Sequence, residues 1–143
     1  MKRSYVIDVN ILFSALISKK PFYEVLFSNF DFYVPDFALI ELQKYNQVIL
    51  KRLPQFGEMF KKFTLSLFSQ LKVFPTFLID RQIWTEAEQL CEKIDPKDTP
   101  YVALAMFLQI PFLTRDKQCY NGLYDNRMVD VVLFDDFYRQ QFG

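Results

Sequence analysis

Short apolar runs alternate along the chain with longer segments in which apolar residues recur at helical spacing. The short runs predict strands at residues 5–7, 31–34, 72–74, 110–113 and 129–134. The longer segments predict helices at 11–18, 22–28, 37 to about 53, 55 to about 71, 81–93 and 101–108, with a short helix or turn at 117–123. This order favours an α/β fold with a doubly wound, mostly parallel sheet of about four or five strands flanked by helices.

The composition is that of one compact globular domain spanning residues 1–143. Hydrophobic residues make up 51% of the chain and charged residues 24%, which lies outside the range of disordered sequences. The 17 basic residues balance 17 acidic ones, so no overall field attracts the protein to nucleic acid or to anionic membranes. Any such attraction must come from local patches of charge.

Histidine is absent, which removes Ser-His-Asp and Cys-His nucleophile systems, imidazole bases and histidine-bound zinc. Cys91 and Cys119 are too few for a cysteine-only zinc site and allow one disulfide at most. The first apolar run is interrupted at Asp8, and the uncharged run 99–113 is shorter than the roughly 20 residues of a bilayer span. We therefore expect a cytoplasmic protein without a membrane partner, in which carboxylates carry the chemistry.

Four acidic residues occupy positions where a parallel sheet commonly binds ligands. Asp8 and Asp116 follow two predicted strands, Asp98 begins the apolar helix 101–108, and Glu41 lies one turn inside the helix that starts at residue 37. Taken singly, each has an ordinary role as a helix cap, a turn residue or a surface charge. Gathered at ~4 Å, carboxylates repel by about 1 to 4 kcal/mol per pair, so such a cluster requires a proton or a cation.

The segments around these acids resemble the four acidic blocks of PIN-domain ribonucleases, in the order found in that family. They are residues 4–16 (SYVIDVNILFSAL), 39–42 (LIEL), 98–105 (DTPYVALA) and 112–117 (FLTRDK). The resemblance implies a PIN-like fold in which Asp8, Glu41, Asp98 and Asp116 are catalytic and hold Mg²⁺ or Mn²⁺. It also implies hydrolysis of RNA that leaves a 5′-phosphate and a 3′-hydroxyl, with supporting roles for Asn10 and Thr114.

Two features depart from the family pattern. Val9 stands where the family often has a small or hydroxylated residue, which changes only local polarity. Asp95 precedes Asp98 by three residues and competes with it for the third acidic position. Ala103 and Ala105 are better spaced behind Asp98, so we assign the position to Asp98 and treat Asp95 as a supporting carboxylate or a loop cap.

Two surfaces are candidates for binding partners. Between residues 40 and 72, six basic residues face only two acidic ones, which favours phosphate contacts, although a solvated helix face has the same composition. The candidate RNA-contacting residues are Lys19, Lys20, Lys44, Lys51, Arg52, Arg115 and Lys117. The stretch 53–71 carries more apolar surface than one buried helical stripe requires, which indicates either a well-filled core or a partner chain. The family resemblance implies that this partner is an antitoxin or a second copy.

Three other functions compete with a ribonuclease. A catalytically inactive RNA-binding or protein-interaction module on the same fold has no use for a costly anionic cluster. A phosphatase of the haloacid-dehalogenase type also has an aspartate at the end of its first strand. Such an enzyme places a second aspartate two residues later, and this chain has Asn10 there. Nucleotide-binding folds of the Rossmann or P-loop type require a glycine-rich loop after the first strand, and this chain has none there.

Overall fold

A five-stranded parallel sheet forms the centre of the protein. The computed structural model describes residues 2–18, 20–51 and 53–142. The strands are β1 (Arg3–Ile7), β2 (Phe30–Pro35), β3 (Leu71–Phe74), β4 (Phe112–Thr114) and β5 (Val131–Leu133). They are arranged in the order β3-β2-β1-β4-β5, and each of the four pairings is parallel. The prediction of a doubly wound, mostly parallel sheet of four or five strands is confirmed.

Helices connect the strands and cover the sheet. They are α1 (Val9–Ser18), α2 (Pro21–Asn29), α3 (Phe37–Lys44), α4 (Asn46–Leu50), α5 (Leu53–Gln70), α6 (Arg81–Cys91), α7 (Thr99–Leu108), α8 (Lys117–Leu123) and α9 (Phe134–Phe142). Two short 3-10 turns, Thr76–Leu78 and Pro96–Asp98, precede α6 and α7. In the described part of the chain, no helix is both long enough and apolar enough to cross a membrane.

The structure corrects the helices expected between residues 37 and 71. The first of them is divided at Tyr45, which separates α3 from α4. Pro54, where the sequence predicts either the end of one helix or a bend into the next, lies in the first turn of α5, where proline is tolerated. Gly57 interrupts α5 with φ 49° and ψ −124°, a conformation that residues with a Cβ atom rarely adopt. The apolar spacing is similar on both sides of Tyr45 and of Gly57. The sequence pattern therefore predicts continuous helices across these two residues.

The C-terminal helix α9 is not predicted by the sequence pattern. The apolar run 129–134 indicates one strand, but the strand is confined to Val131–Leu133 and Phe134 begins the helix. Acidic residues occupy the first turn of α9 and Arg139 its last turn, an order that complements the helix dipole. Phe134 and Phe137 are buried, and Phe137 packs edge-to-face against Tyr5 of β1. Burial of these rings holds α9 on the sheet.

Helix α7 is largely buried, and it begins next to Asp98, one of the four predicted acidic site residues. Its first seven residues are all buried, because α6 packs on one side of it and strands β1 and β2 on the other. This explains a sequence that is apolar all round and lacks an amphipathic stripe. The helix therefore holds its N-terminal end, where Asp98 and Tyr101 lie, in a fixed position relative to the sheet.

Strand register brings the polar residues at the strand ends to one edge of the sheet. Val6 pairs with Phe112 and Ile7 with Leu113, and the Asp8 amide donates to the Leu113 carbonyl at 3.1 Å. The next residues along β1 and β4 are therefore Asp8 and Thr114, which lie side by side. On the other flank of β1, strand β2 ends at the same edge and leads directly into α3, the helix that carries Glu41.

Candidate active site

Asp8 is buried at the end of β1, and both of its carboxylate oxygens accept hydrogen bonds. The Asn10 amide donates to Oδ1 at 3.0 Å, and the Thr114 hydroxyl donates to Oδ2 at 3.0 Å. Burial raises the pKa of Asp8, the two hydrogen bonds oppose that rise, and the charge of Asp116 adds to it. The Asn10 contact comes from the backbone, and the Asn10 side chain is exposed, so this hydrogen bond does not depend on an asparagine at position 10.

Asp116 is connected to Asp8 through one hydroxyl group. The fully buried Thr114 Oγ1 donates to Asp8 and accepts from the Asp116 amide at 3.0 Å. Oδ1 of Asp116 accepts from the amides of Gln118 at 2.9 Å and Cys119 at 3.2 Å, which makes Asp116 the N-cap of α8. The cap uses only the Oδ1 oxygen of Asp116. Asp116 can therefore cap α8 and also contribute its other carboxylate oxygen to the site beside Asp8.

Asp98 combines a buried carboxylate oxygen with a strongly raised pKa. Its Oδ2 atom is buried and has no hydrogen-bond partner within the described residues. Burial raises the pKa of Asp98 to about 7, and the charges of Asp8, Asp95 and Asp116 contribute, while a hydrogen bond from the Cys119 thiol opposes the rise. An ionised oxygen in this position requires a compensating charge, because burying an unpaired polar group costs free energy.

Asp95 precedes Asp98 by three residues and has a local structural role. Its Oδ1 accepts from the Lys97 amide at 3.0 Å and caps the 3-10 turn Pro96–Asp98. Its charge contributes to the raised pKa of Asp98, so the two carboxylates lie within electrostatic reach of each other. The geometry corresponds to the loop cap that is one of the two expectations for this residue.

Glu41 is connected to the aspartates through Tyr101. The Tyr101 hydroxyl donates to Glu41 Oε1 at 2.5 Å, and the buried Tyr101 ring stacks on Phe112 with 5.9 Å between centroids. Burial raises the pKa of Tyr101 well above its usual value, and the charges of Glu41, Asp8 and Asp98 raise it further. Tyr101 is therefore a neutral donor that lies within electrostatic reach of three of the four acids.

Tyr101 is a site residue that the sequence pattern does not reveal at first, because the apolar helix 101–108 indicates only core. Two signals are nevertheless present. Tyr101 carries the one hydroxyl group among residues 101–108, and it follows Asp98 by three residues, a spacing that places two helical side chains on one face.

Asp36 is a second residue to which the sequence analysis assigns no role. Its carboxylate accepts from the Thr76 hydroxyl at 2.8 Å and connects the start of α3 to the turn after β3.

The donors at this edge fit a divalent metal ion of the magnesium type. They are carboxylate oxygens, and Asp98 Oδ2 supplies a buried oxygen without a protein partner among the described residues. Within residues 2–18, 20–51 and 53–142, no group of three or more Asp, Glu or Cys side chains is positioned to hold a metal ion by itself. Mg²⁺ retains several waters and uses one or two protein carboxylates, so an open arrangement is compatible with it.

The predicted RNA-contacting residues differ in their surroundings. Lys20, Lys44, Lys51 and Lys117 are exposed, whereas Lys19 and Arg52 lie outside the described residues. The Arg115 guanidinium donates to Ser14 Oγ at 2.9 Å and to Tyr23 Oη at 3.1 Å, and lies 4.7 Å from the centroid of the Phe134 ring. Arg115 therefore connects α1, α2 and α9, a packing role that the sequence does not indicate.

The apolar stretch 53–71 divides into a buried and an exposed face. Phe60, Phe63, Leu67 and Leu71 are buried, so this face is filled core, whereas Met59 and Leu65 are exposed. The side chains of Leu53 and Phe56 lie outside the described part. A second set of exposed apolar side chains lies on α3 and α4, and we call Leu39, Ile40, Val48 and Leu50 the α3–α4 apolar patch.

The fold and the site define an α/β protein with an acidic cluster at the carboxyl edge of a parallel sheet. The family model described as PIN domain matches residues 6–131. The chain therefore belongs to the PIN-domain family, whose members are generally nucleases. The resemblance found in the sequence is confirmed. A comparison with curated proteins found no match.

Three solved structures share the fold. VapBC2 from Rickettsia felis, bound to a DNA fragment from its promoter, matches with a TM-score of 0.63 and 14% identity over 91% of this chain and 98% of the other. A toxin-antitoxin complex from Klebsiella pneumoniae matches with a TM-score of 0.58 and 15% identity over 90% and 95%. FitAcB from Neisseria gonorrhoeae matches with a TM-score of 0.50 and 18% identity over 89% and 95%. At these identities the similarity establishes the fold.

Proposed function

We propose that the protein is a metal-dependent endoribonuclease that hydrolyses phosphodiester bonds of single-stranded or structured RNA. The observation that carries the proposal is the buried Oδ2 of Asp98, which has no partner among the described residues and belongs to a carboxylate that feels the charges of Asp8 and Asp116. Such a cluster destabilises the fold unless a cation or a proton compensates it. A module that only binds RNA or protein gains nothing from this cost, which disfavours the inactive alternative.

Each residue of the site has a task in the proposed reaction. Asp8, Asp98 and Asp116 would hold Mg²⁺ or Mn²⁺, directly or through water molecules, and Glu41 would complete the acidic set. When bound, the ion supplies positive charge that stabilises the phosphate and the attacking and departing oxygens. Thr114 orients the Asp8 carboxylate through its hydroxyl, and Tyr101 orients Glu41 in the same way. No imidazole is required for this chemistry, in agreement with a chain that lacks histidine.

Exposed lysines are available for contacts with the RNA backbone. We propose that Lys20, Lys44, Lys51 and Lys117 contact phosphates, together with Lys19 and Arg52 from outside the described residues. Contacts of this kind are salt-sensitive and carry little sequence information. Selection of a particular RNA site must therefore come from other features of the surface.

The proposed activity is tested by incubating the purified protein with RNA in Mg²⁺, in Mn²⁺ and in EDTA. Cleavage is expected with either metal, is expected to stop in EDTA, and is expected to leave 5′-phosphate and 3′-hydroxyl ends. Products are separated on denaturing gels and their ends identified with a 5′-phosphate-dependent exonuclease. Cleavage that persists in EDTA, or a 2′,3′-cyclic phosphate product, would exclude the mechanism.

We further propose that the protein is the toxin of a toxin-antitoxin pair and acts in the cytoplasm. Two of the similar solved structures are described as toxin-antitoxin or VapBC assemblies. The α3–α4 apolar patch suits an antitoxin segment, and exposed Met59 and Leu65 suit a second copy of the chain.

The free, buried thiols of Cys91 and Cys119 agree with a reducing compartment. Light scattering of the isolated chain tests the homodimer.

Replacing Tyr101 by phenylalanine is expected to slow RNA cleavage about tenfold without unfolding the protein. The phenyl ring keeps the stacking on Phe112, while the hydrogen bond to the Glu41 carboxylate is lost. A hydrogen bond to a charged group contributes about 1.5 to 3 kcal/mol, enough for about a tenfold effect when only part of it acts on the reaction. Single-turnover kinetics and a thermal melt measure the two effects. An unchanged rate would show that Tyr101 does not position Glu41 for the reaction.

A further inference from the structure

A groove with aromatic walls lies between the turn Thr76–Leu78, helix α6 and the start of α3. Its volume is about 780 Å³ and it is open to solvent. Phe37, Phe77 and Trp84 supply its aromatic surface, and Arg81 and Thr85 are among its polar lining residues. We call this feature the aromatic groove.

The aromatic groove is adjacent to the acidic site because the two share helix α3. Phe37 lines the groove, and Glu41 stands four residues further along the same helix. Side chains at that spacing are neighbours, with about 5 to 6 Å between their Cβ atoms. On the groove side, the Asp36 carboxylate accepts from the Thr76 hydroxyl at 2.8 Å and from the Thr76 amide at 3.4 Å. These bonds fix the turn that carries Phe77 relative to α3.

The side chains of the groove suit a flat aromatic ligand that is attached to an anion. Phe77 is 83% exposed, which is unusual for a phenylalanine, and the Phe37 and Trp84 rings lie 6.0 Å apart and tilted by 38°. Arg81 provides a guanidinium that can pair with a phosphate, and Thr85 provides a hydroxyl. Exposed Glu88 also lines the groove and disfavours a purely anionic ligand.

We propose that the aromatic groove binds an unpaired nucleobase of the RNA substrate, next to the phosphate that is held at the acidic site. Bases stack on exposed aromatic side chains in proteins that bind single strands, and every base has a face that can stack. In a duplex both faces of a base are already stacked, so the groove selects for single-stranded RNA. This inference rests on the proposed function and deepens it by specifying the unpaired base as the recognised feature.

An apolar side chain from a protein partner is the competing occupant. The position of the groove one helical turn from Glu41 and the presence of Arg81 both favour a nucleotide. A peptide partner has a more apolar surface available on the α3–α4 apolar patch, where Ile40 is 62% exposed.

The inference can be tested by fluorescence, because Trp84 is the only tryptophan in the chain. The probe is a hexameric oligoadenylate RNA in EDTA, where cleavage does not occur, compared with an abasic ribose-phosphate strand of the same length. The RNA is expected to quench Trp84 emission and to bind at least fivefold more tightly than the abasic strand. Equal binding and equal quenching by the two strands would overturn the proposal.

Variants of Phe77 provide the matched comparison. Phe77→Ala is expected to weaken binding of the hexamer at least fivefold, and Phe77→Tyr is expected to retain it, because tyrosine keeps the stacking ring. The control is Tyr124→Ala, which removes an exposed aromatic side chain from the loop after α8. A thermal melt checks that each variant is folded. Unchanged affinity in Phe77→Ala, or equal affinity for a duplex of the same length, would contradict the proposal.

Failure of this inference and failure of the proposed function give different results. Base-dependent quenching without RNA cleavage in Mg²⁺ or Mn²⁺ would support the groove and reject the nuclease. RNA cleavage in which Phe77→Ala leaves both KM and kcat unchanged would support the nuclease and reject the groove. Under the full proposal, Phe77→Ala raises KM for single-stranded RNA at least fivefold and changes kcat little.

Discussion

Asp8→Asn and Asp116→Asn are each expected to reduce the rate of RNA cleavage at least a hundredfold. Asparagine keeps the size of the side chain but removes the negative charge that holds the cation, and transition-state stabilisation by the ion is lost with it. At position 8, an asparagine can accept only one of the two hydrogen bonds that Asn10 and Thr114 now donate to the carboxylate. The loss of rate should therefore accompany a loss of metal affinity.

Single-turnover cleavage assays and isothermal titration with Mn²⁺ measure the two losses. Asp125→Asn is the matched control, because Asp125 is exposed and lies in the segment that precedes β5, at the amino edge of the sheet. This control is expected to cleave RNA at the wild-type rate. If Asp8→Asn and Asp116→Asn also cleave at that rate, the site has been assigned to the wrong residues. Undiminished metal affinity in both variants would exclude direct binding of the ion by these carboxylates.

Asp98→Asn is expected to abolish cleavage and, in EDTA at pH 8, to stabilise the fold by about 1 to 2 kcal/mol. Burial and the neighbouring carboxylates raise the pKa of Asp98 to about 7, so its ionised form is unfavourable in the folded protein. Taken in full, this rise in pKa corresponds to a free-energy cost of about 4 kcal/mol for ionising Asp98 in the folded protein. Partial exposure of Asp98 to water reduces that cost. Asparagine resembles the protonated acid and avoids the cost.

The pH dependence of this stabilisation has a definite sign. Below about pH 3, Asp98 is protonated in both the folded and the unfolded chain, and the substitution is expected to change stability little. Between about pH 3 and 7 the unfolded chain releases this proton while the folded chain retains it, so the free energy of unfolding of the wild type falls. Above about pH 7 the loss is complete, and the advantage of Asp98→Asn is at its largest.

Thermal unfolding at several pH values, with and without Mg²⁺, measures this prediction. Saturating Mg²⁺ is expected to stabilise the wild type and to have much less effect on Asp98→Asn, because an ion that binds only the folded state stabilises it. Asp125→Asn again serves as the control and is expected to follow the wild type. A variant that is less stable than the wild type at pH 8 in EDTA would show that ionised Asp98 already has a compensating partner.

The class of the fold and the chemical character of the site follow from the order of residues along the chain. Short apolar runs separated by helical spacing specify a parallel sheet, because such strands must be buried on both faces. Asp8 and Thr114 lie side by side as a direct consequence of two strands that end at one edge. The absence of histidine, a property of composition alone, directs the proposed chemistry to carboxylates.

The interactions among these groups depend instead on packing between segments that are distant in the chain. The hydrogen bond from Tyr101 to Glu41 spans 60 residues, and the contacts of Arg115 with Ser14 and Tyr23 span 101 and 92. Helix α9 and the aromatic groove likewise require such packing. Local periodicity reports which residues become buried, but it contains no information about which partners a buried polar atom finds. For this reason the buried Oδ2 of Asp98, without a partner among the described residues, is a property of the assembled fold.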